Sequence, residues 1–336
     1  MKTAIIGAGA IGSLVAGYLT KAGKDVVLIG RKDQRDAIRQ HGLRVVSAQG
    51  EERITLKVVE RLEEACDLAI FTVKTQDLED AYQENQEHLD GALIMTSQNG
   101  VQADNILSTH FDPAAMISSI VMFGVSYIKP GEVIFNFPGD WVIGKPYDTN
   151  DQNVRDVAAH LGSAFPVEVS HNIMGMKWLK LFVNFNNCIP ALTGKSMQET
   201  FADLDLCRLS VLLLKEGVDI VTKAHIEMVS LPKFPLERII GLASMPTEQG
   251  AAILQKTLTS LSKEPLYGSI LQSIKRGKPS EIDFINGEVA LMARSMRMDS
   301  PFNSKVVELV HQVEQTGKFF DPAEIKKEFN LLAGRQ

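Results

Sequence analysis

The chain has 336 residues, of which 45% are hydrophobic and 23% are charged, so it is long enough for two globular domains. Its net charge of −6 argues against a nucleic-acid partner. The three cysteines, Cys66, Cys188 and Cys207, are too few and too scattered for a disulfide framework or a zinc site, and we predict no metal. No apolar run approaches the roughly 20 residues that span a bilayer. Because the first residues already read as a strand, we expect no signal peptide, no membrane contact and a cytoplasmic location.

A glycine-rich turn follows the first predicted strand, at residues 3–6, and opens a helical pattern. Gly7 permits a sharp turn, Gly9 leaves room for a pyrophosphate against the backbone, and Gly12 lets the helix pack closely on the strand. A strand, a glycine turn and a helix in this order predict a dinucleotide-binding site, where free N–H groups of the helix hold phosphates. The predicted cofactor-binding residues of this turn are Gly7, Ala8, Gly9, Ala10, Ile11 and Gly12.

The end of the second predicted strand, at residues 25–29, indicates which dinucleotide binds. Sites for NAD place Asp or Glu there to accept hydrogen bonds from the ribose hydroxyls. This chain has Gly30-Arg31-Lys32 instead. An acid would repel a 2′-phosphate, whereas the Arg31 guanidinium can bind one through two parallel hydrogen bonds. We therefore predict NADP(H) as the cofactor, against the alternative of a solvated basic loop.

Two further strands end in polar residues. A buried strand at residues 67–73 is followed by Lys74, and a strand at residues 92–96 leads to Asn99. In open parallel sheets the ligand lies at the carboxyl ends of the strands, so both side chains are predicted to reach the cofactor. The alternatives are a surface lysine at the start of a helix and an Asn-Gly turn without a ligand.

The rest of the chain predicts an antiparallel extension of this sheet and then helices alone. Strands are predicted at residues 44–46, 54–59, 117–126, 133–135, 141–143 and 167–169, with a helix at 151–163. Helical patterns then occupy residues 172–191, 205–227, 235–243, 247–262, 264–276, 280–296, 303–316 and 322–332. We predict an α/β Rossmann-type dinucleotide-binding domain at residues 1–170 and an all-α substrate or catalytic domain at residues 171–336. A substrate cleft is expected at their junction.

The first helix of the second domain carries polar residues among aromatic and aliphatic ones. Lys180, Asn184 and Asn187 are spaced i, i+4 and i+7, so they share one face of the helix. Buried polar groups need polar partners, which makes this face a candidate site. The alternative is a surface stripe, and we expect Lys177, one turn earlier, to be a surface residue of that kind.

A second polar stretch runs from Ser269 to Gly287 and contains a predicted helix start at Ser280. Ser280 is a good N-cap residue, and an acidic residue suits the first turn of a helix. This structural interpretation would explain Glu281 without a catalytic role.

Together these features resemble the ketopantoate reductase (2-dehydropantoate 2-reductase) family over nearly the whole chain. The resemblance implies NADPH-dependent reduction of ketopantoate to pantoate, as in pantothenate biosynthesis, by an oxidoreductase that acts on a CH–OH group. It rests on the glycine turn, Arg31, Val73-Lys74, Gln98-Asn99-Gly100, Trp178-x-Lys180-Leu181-x-x-Asn184, and Ser269 followed by Gly277-x-x-Ser280-Glu281-Ile282-Asp283-x-x-Asn286-Gly287.

The resemblance also implies roles for single residues. Lys180 would be the catalytic lysine and Glu281 the active-site acid, which we also place beside the cofactor. Lys180, Asn184 and Ser269 would bind a small 2-oxo acid. The glycine turn, Lys74, Asn99 and Arg31 would bind NADPH, with Arg31 at the 2′-phosphate.

Two positions depart from the family pattern. The family commonly has a second substrate-binding asparagine one turn after Asn184, where this chain has Cys188, and a further family asparagine corresponds to Gln198. A thiol is a poor substitute for an amide. Either Asn187 replaces the missing amide or the substrate differs from ketopantoate, so Asn187 and Cys188 are both candidates for substrate binding.

Two alternative functions remain open at this point. One is a related NADP-dependent reductase or dehydrogenase of another 2-oxo or hydroxy acid, which the departure at Cys188 favours. The other is a non-catalytic NADP-binding sensor, which the presence of both Lys180 and Glu281 argues against. A homodimer is also left open, since the sequence does not give the oligomeric state.

Overall fold

An eight-stranded sheet organises the N-terminal half of the chain in the computed structural model, which describes residues 1–331. Its order is β12-β11-β8-β7-β6-β1-β2-β5, and a separate four-stranded sheet has the order β4-β3-β10-β9. The strands are β1 (Thr3–Ile6), β2 (Val26–Ile29), β3 (Leu43–Ser47), β4 (Gly50–Ile54), β5 (Lys57–Val59), β6 (Leu68–Phe71), β7 (Leu93–Thr96), β8 (Met116–Val121), β9 (Gly124–Lys129), β10 (Glu132–Phe137), β11 (Trp141–Gly144) and β12 (Val167–Val169).

Helices cover both faces of the main sheet, which is why its central strands are buried at every position and almost entirely apolar. Successive side chains alternate between the two faces. Ile5 packs in the core beneath α1, whereas Ala4 and Ile6 pack in the core beneath α3 and α4. The helices of this half are α1 (Ala10–Lys21), α2 (Lys32–His41), α3 (Leu78–Asn85), α4 (Gln102–Leu107) and α5 (Gln152–Leu161), with 3-10 turns at Thr75–Asp77, Gln86–His88 and Pro113–Ala115.

The predicted strand at residues 117–126 is wrong as a single element. It divides into β8, which belongs to the main sheet, and β9, which belongs to the small sheet. The chain crosses from the main sheet to the small sheet between β8 and β9, where the backbone is closely packed. A Cβ at Gly139 would lie 2.3 Å from the Met122 carbonyl oxygen, and a Cβ at Gly124 would lie 2.3 Å from the Phe137 ring. The predicted strand at 54–59 divides in the same way, into β4 and β5.

Contacts within the chain separate two compact units between Met174 and Gly175, inside the first turn of a helix. The second unit contains no named strand among its described residues, so the predicted order of an α/β half and an all-α half is confirmed. Its helices are α6 (Ile173–Asn184), α7 (Cys188–Thr193), α8 (Met197–Phe201), α9 (Leu204–Lys223), α10 (Glu237–Ser244), α11 (Thr247–Thr259), α12 (Ser269–Lys275), α13 (Asn286–Ser295), α14 (Pro301–Thr316) and α15 (Pro322–Glu328), with 3-10 turns at Phe185–Asn187 and Ile282–Phe284.

Two predicted helices of the second unit begin later than expected. The helix predicted from residue 264 starts only at Ser269, because Pro265 and Gly268 interrupt the segment before it. The helix predicted from residue 280 starts only at Asn286, after a 3-10 turn. The last predicted helix, 322–332, ends at Glu328, and residue 332 lies outside the described residues.

A chain of polar contacts joins α9, α13 and α14. The Glu216 carboxylate on α9 accepts hydrogen bonds from the backbone N–H groups of Phe302 (2.9 Å) and Asn303 (2.7 Å) in the first turn of α14. It also accepts one from the Asn303 side chain at 2.8 Å, and Asn303 Oδ1 accepts from Asn286 Nδ2 at 3.0 Å. Because Asn303 and Asn286 are both fully buried, their amide groups depend on these partners.

Replacing Glu216 should therefore lower stability. Glu216→Ala removes an acceptor from buried donors, at a cost of about 1–3 kcal/mol in the free energy of unfolding. Glu308→Ala is the control, since Glu308 is an exposed carboxylate on α14, and it should change the free energy by less than about 0.5 kcal/mol. Urea unfolding followed by circular dichroism compares the two variants, and equal midpoints would contradict the role given to Glu216.

Candidate functional site

The three glycines of the N-terminal turn have three different geometries. Gly7 has φ +123°, and a Cβ there would lie 2.6 Å from the Val73 backbone nitrogen. A Cβ at Gly12 would lie 1.9 Å from the Gly7 carbonyl oxygen, so only glycine allows α1 to approach the end of β1. A Cβ at Gly9 would meet nothing within 4 Å, so the turn is open beside Gly9. An open backbone before the N-terminus of a 12-residue helix fits the pyrophosphate of a dinucleotide.

Four parallel strands of the first unit end at the same level. The register pairs Ile6 of β1 with Ile29 of β2 and with Phe71 of β6, and it pairs Phe71 with Thr96 of β7. The segments that follow these strands carry the glycine turn, Arg31, Lys74 and Asn99. The structure therefore brings all the predicted cofactor-side residues of the first unit to one edge of the sheet.

Gln98 fixes the loops after β6 and β7 to each other. Its Nε2 donates to the carbonyl oxygens of Phe71 (2.9 Å) and Val73 (2.8 Å), and Ser97 Oγ donates to Phe71 O at 2.7 Å. Gly100 follows with φ +80°, as expected for an Asn-Gly turn. Asn99 and Lys74 are both half-buried at this edge. The role of Gln98 could not be predicted, because its partners lie on a different strand.

Gln34 holds the start of α2 against the glycine turn. Its side chain donates to the Ala8 carbonyl oxygen and accepts from the Gly131 N–H at 2.6 Å. Gly30 lies so close to Ala8 that a Cβ would be 2.4 Å from the Ala8 Cβ. These contacts hold the start of α2 beside the turn, and Arg31 lies at the N-cap position of α2 with its side chain exposed. Gln34 is buried, and nothing in the sequence of α2 indicates this clamp.

Lys180 and Asn184 lie on α6, and Asn187 lies on the 3-10 turn that follows it. All three side chains are half-buried. The expectation that Lys177 is a surface residue is wrong, since its exposed fraction is 2%. Lys177 shares its helical stripe with Ile173 and Leu181, at i−4 and i+4, and both have no exposed surface. The solvent exposure of the two lysines is therefore the reverse of what we expected. Lys177 is buried, whereas Lys180 has partial access to solvent.

Burial lowers the pKa of the Lys180 ammonium below its ordinary value of 10.5. The protein surrounds most of the side chain and withholds water from the charged form. A lysine with a depressed pKa gives up its proton more readily than an exposed one, which is the property a general acid needs near neutral pH.

Cys188 has no exposed surface, and its thiol donates to the Phe185 carbonyl oxygen at 3.0 Å. Burial raises its pKa to about 12, opposed in part by the Asn286 amide beside it. This placement packs the Cys188 thiol inside the helical unit, away from solvent. Asn187 instead lies against Gly268, where a Cβ would be 2.4 Å from Asn187 Oδ1. Ser269, the next residue, is exposed at the start of α12.

Glu281 lies in a loop and not in the first turn of a helix. Its φ of −102° and ψ of 27° are outside the α-helical range, and the 3-10 turn follows it. The loop is fixed to α14, because the Ser280 N–H donates to Glu314 Oε1 at 2.7 Å and Asp283 pairs with His311 at 3.0 Å. Glu281 is half-buried. The structural explanation of Glu281 as a first-turn acid is therefore wrong.

The two polar stretches of the second unit meet in space. The Asn286 amide, five residues after Glu281, lies beside the Cys188 thiol, four residues after Asn184. Gly268 and Asn187 provide the second point of contact. Residues that are separated by about a hundred positions in sequence thus belong to one neighbourhood of the helical unit.

Two classes of site find no support in the described part of the chain. No group of three or more His, Cys, Asp or Glu side chains could hold a metal ion among residues 1–331. Within the same residues, no helix combines the length and the apolar character that crossing a membrane requires.

Known proteins resemble the chain over almost its full length. The family "Ketopantoate reductase PanE/ApbA" matches residues 3–147, and "Ketopantoate reductase PanE/ApbA C terminal" matches residues 172–314. The 2-dehydropantoate 2-reductase of Pyrococcus horikoshii is 32% identical over 322 residues, which cover 94% of this chain and 99% of that protein.

Solved structures show the same fold. A PanE/ApbA family ketopantoate reductase from Ralstonia eutropha is 25% identical with a TM-score of 0.79, covering 94% of this chain and 99% of that one. A D-mandelate dehydrogenase solved with NADH and anilino(oxo)acetate has a TM-score of 0.82 at 23% identity, with the same coverage of 94% and 99%. The chain therefore belongs to the ketopantoate reductase family.

Proposed function

We propose that the protein reduces ketopantoate to pantoate with NADPH. The family membership supports the reaction class, and the relatives named 2-dehydropantoate 2-reductase support the substrate. The observation that carries the proposal is the half-buried face of Lys180, Asn184 and Asn187, on which burial lowers the lysine pKa. A surface stripe of polar residues would not desolvate its lysine in this way.

The cofactor proposal rests on the edge where β1, β2, β6 and β7 end. The glycine turn would hold the pyrophosphate, and Lys74 and Asn99 would contact the dinucleotide farther along this edge. Arg31, in place of the acid of an NAD site, would bind a 2′-phosphate. When bound, the nicotinamide cofactor supplies the reducing equivalent as a hydride.

The chemistry of the helical unit follows from its charges. Negative charge develops on the carbonyl oxygen of a 2-oxo acid as it is reduced, and the Lys180 ammonium would stabilise that charge and donate a proton from Nζ. Asn184, Asn187 and Ser269 would orient the substrate. Glu281, held by the Ser280 and Asp283 contacts to α14, would position the lysine or a substrate hydroxyl. Cys188 takes no part in binding, so its departure from the family pattern says little about the substrate.

A related activity on another 2-oxo acid is the second candidate. The D-mandelate dehydrogenase of the same fold was solved with NADH and anilino(oxo)acetate. This complex suggests aromatic 2-oxo acids as an alternative substrate class and NADH as an alternative cofactor. NADPH and NADH oxidation should be followed with ketopantoate beside aliphatic and aromatic 2-oxo acids. We expect the highest kcat/KM for ketopantoate with NADPH. Preference for an aromatic acid would favour the second candidate, and no turnover with any acid would favour a non-catalytic sensor.

Arg31→Ala should weaken the binding of NADPH much more than that of NADH. The variant loses a charge-assisted hydrogen bond of about 1.5–3 kcal/mol, or roughly tenfold or more in affinity. Arg39→Ala is a matched control on the same helix, since Arg39 donates to the Val58 carbonyl oxygen and not to the turn. Cofactor fluorescence titration gives both dissociation constants. Equal affinity of the unaltered protein for the two cofactors would refute the assignment.

Lys180→Met should lower kcat by about a hundredfold or more, because the proton donor acts mainly in the transition state. NADPH affinity should stay unchanged, since the phosphate-binding residues proposed above belong to the other unit. Lys223→Met, on the exposed side of α9, should retain normal kcat. Lys177 is unsuitable as a control, because truncating a buried lysine would disturb the helix itself. Normal turnover by the Lys180 variant would remove Lys180 from the mechanism.

The pH dependence should report the same lysine. Reduction needs the ammonium form of Lys180. The value of kcat/KM should therefore be constant below the pKa of Lys180 and fall as pH rises through this pKa, which lies below 10.5.

The free energy of unfolding should change with pH in the opposite direction. At low pH the folded protein carries a desolvated ammonium, and its stability rises as pH rises from the pKa of Lys180 in the folded protein to the pKa in the unfolded chain. Lys180→Met should therefore unfold at a higher temperature than the unaltered protein at pH 7. A lower unfolding temperature would show that the lysine is structural.

A further inference from the structure

A nine-residue segment between α11 and α12, residues 260–268, leads directly to Ser269. We name this segment the strap. It has no helix or strand, and its apolar side chains Leu261 and Tyr267 are 50% and 41% exposed. A segment of this kind does not hold its own shape by burial. Contacts from outside it must therefore hold the segment that leads to Ser269.

The Gln198 amide, on α8, makes three hydrogen bonds to the strap backbone. Its Nε2 donates to the carbonyl oxygens of Ser262 (3.1 Å) and Glu264 (2.9 Å), and its Oε1 accepts from the Leu266 N–H at 3.0 Å. The Met197 N–H donates to the Leu266 carbonyl oxygen at 2.8 Å. One side chain thus satisfies both donor and acceptor groups of a loop that lies more than sixty residues away in sequence.

The end of the strap is held by two further contacts. Gln272 Nε2 donates to the Tyr267 carbonyl oxygen at 2.8 Å, and Lys275 Nζ lies 4.2 Å from the centre of the Tyr267 ring. Gly268 then packs against the Asn187 amide, where a Cβ would clash at 2.4 Å. The strap therefore connects Gln198 to two residues of the proposed substrate site, Asn187 and Ser269.

We infer that Gln198 is a positioning residue that holds the strap and thereby sets the place of Ser269 relative to Asn187. This inference rests on the proposed function for its kinetic consequence. Gln198 acts through the strap backbone and does not touch the substrate, because both atoms of its amide are already engaged there. The exchange of a family asparagine for a longer glutamine is then a change in loop support and not in substrate chemistry.

The test uses Gln198→Ala and Gln198→Asn, with Gln255→Ala as the control. Gln255 also donates its amide to a backbone carbonyl at 2.8 Å, but this carbonyl belongs to Ala202, outside the strap. An asparagine is one methylene shorter and cannot reach the strap, so both Gln198 variants should behave alike. Each should raise KM for the 2-oxo acid roughly ten- to hundredfold, as expected for a misplaced binding group, with a much smaller change in kcat. The dissociation constant for NADPH should stay unchanged.

Limited proteolysis tests the strap without any turnover. Lys263 is an exposed trypsin site within the strap, and Lys318 is an exposed site in the loop before α15. Both Gln198 variants should be cut after Lys263 about tenfold faster, since loss of the three hydrogen bonds opens the segment. Cleavage after Lys318 should not change, and Gln255→Ala should be cut at Lys263 like the unaltered protein.

Three results would overturn the inference. Unchanged cleavage after Lys263 would show that Gln198 does not hold the strap. Faster cleavage with unchanged KM would show that the strap does not place Ser269. A lower KM in Gln198→Asn than in Gln198→Ala, at equal cleavage rates, would show a direct substrate contact. If the unaltered protein reduces no 2-oxo acid, the proposed function fails, and the cleavage rates still decide whether Gln198 holds the strap.

Discussion

The close approach of α1 to the end of β1 is the constraint on which the first unit depends. Only a residue without a side chain fits at Gly12, where a Cβ would be 1.9 Å from the Gly7 carbonyl oxygen. This contact sets the turn around Gly9, whose open side is available to a ligand. Because β1 pairs in register with β2 and β6, and β6 pairs in register with β7, the loops after these four strands begin at the same level as the turn.

The second unit faces a different physical problem, since it holds polar groups inside a helical core. Its polar groups form a connected chain, in which Asn303 donates to Glu216, Asn286 donates to Asn303, and the Asn286 amide lies beside the Cys188 thiol. Lys180 lies outside that chain on the half-buried face of α6, where burial depresses its pKa. A desolvated ammonium costs stability, and groups of this kind cluster at functional sites.

The sequence predicted what local pattern determines. The glycine turn, the apolar parallel strands and the polar face of α6 all depend on residues within a few positions of each other. Contacts between distant segments could not be read in this way. The crossing at Gly124 and Gly139, the loop around Glu281 and the burial of Lys177 depend on what packs against them. Helical periodicity alone predicted a surface position for Lys177. In a helix with apolar residues on most sides, periodicity does not show which side of the helix faces the core.

Three glutamines illustrate the same limit. Gln34, Gln98 and Gln198 each bind backbone groups of a loop that is at least 25 residues away in sequence. Each holds a segment next to a proposed site residue, namely Ala8, Lys74 or Ser269. A glutamine has a donor and an acceptor on a flexible stem, so it can satisfy the backbone of a loop that lacks secondary structure. Nothing in the neighbouring sequence distinguishes such a residue from a solvated surface glutamine.

The proposed function requires that a hydride be transferred to the carbonyl carbon of ketopantoate. The most direct measurement uses NADPH that carries deuterium at the transferable position of the nicotinamide ring, with ketopantoate as the acceptor. The account predicts pantoate with one deuterium at C2, detected by mass spectrometry and by loss of the C2 proton signal in the NMR spectrum. Oxidation of the cofactor without deuterated pantoate, or deuterium found only in the product of a different 2-oxo acid, would contradict it.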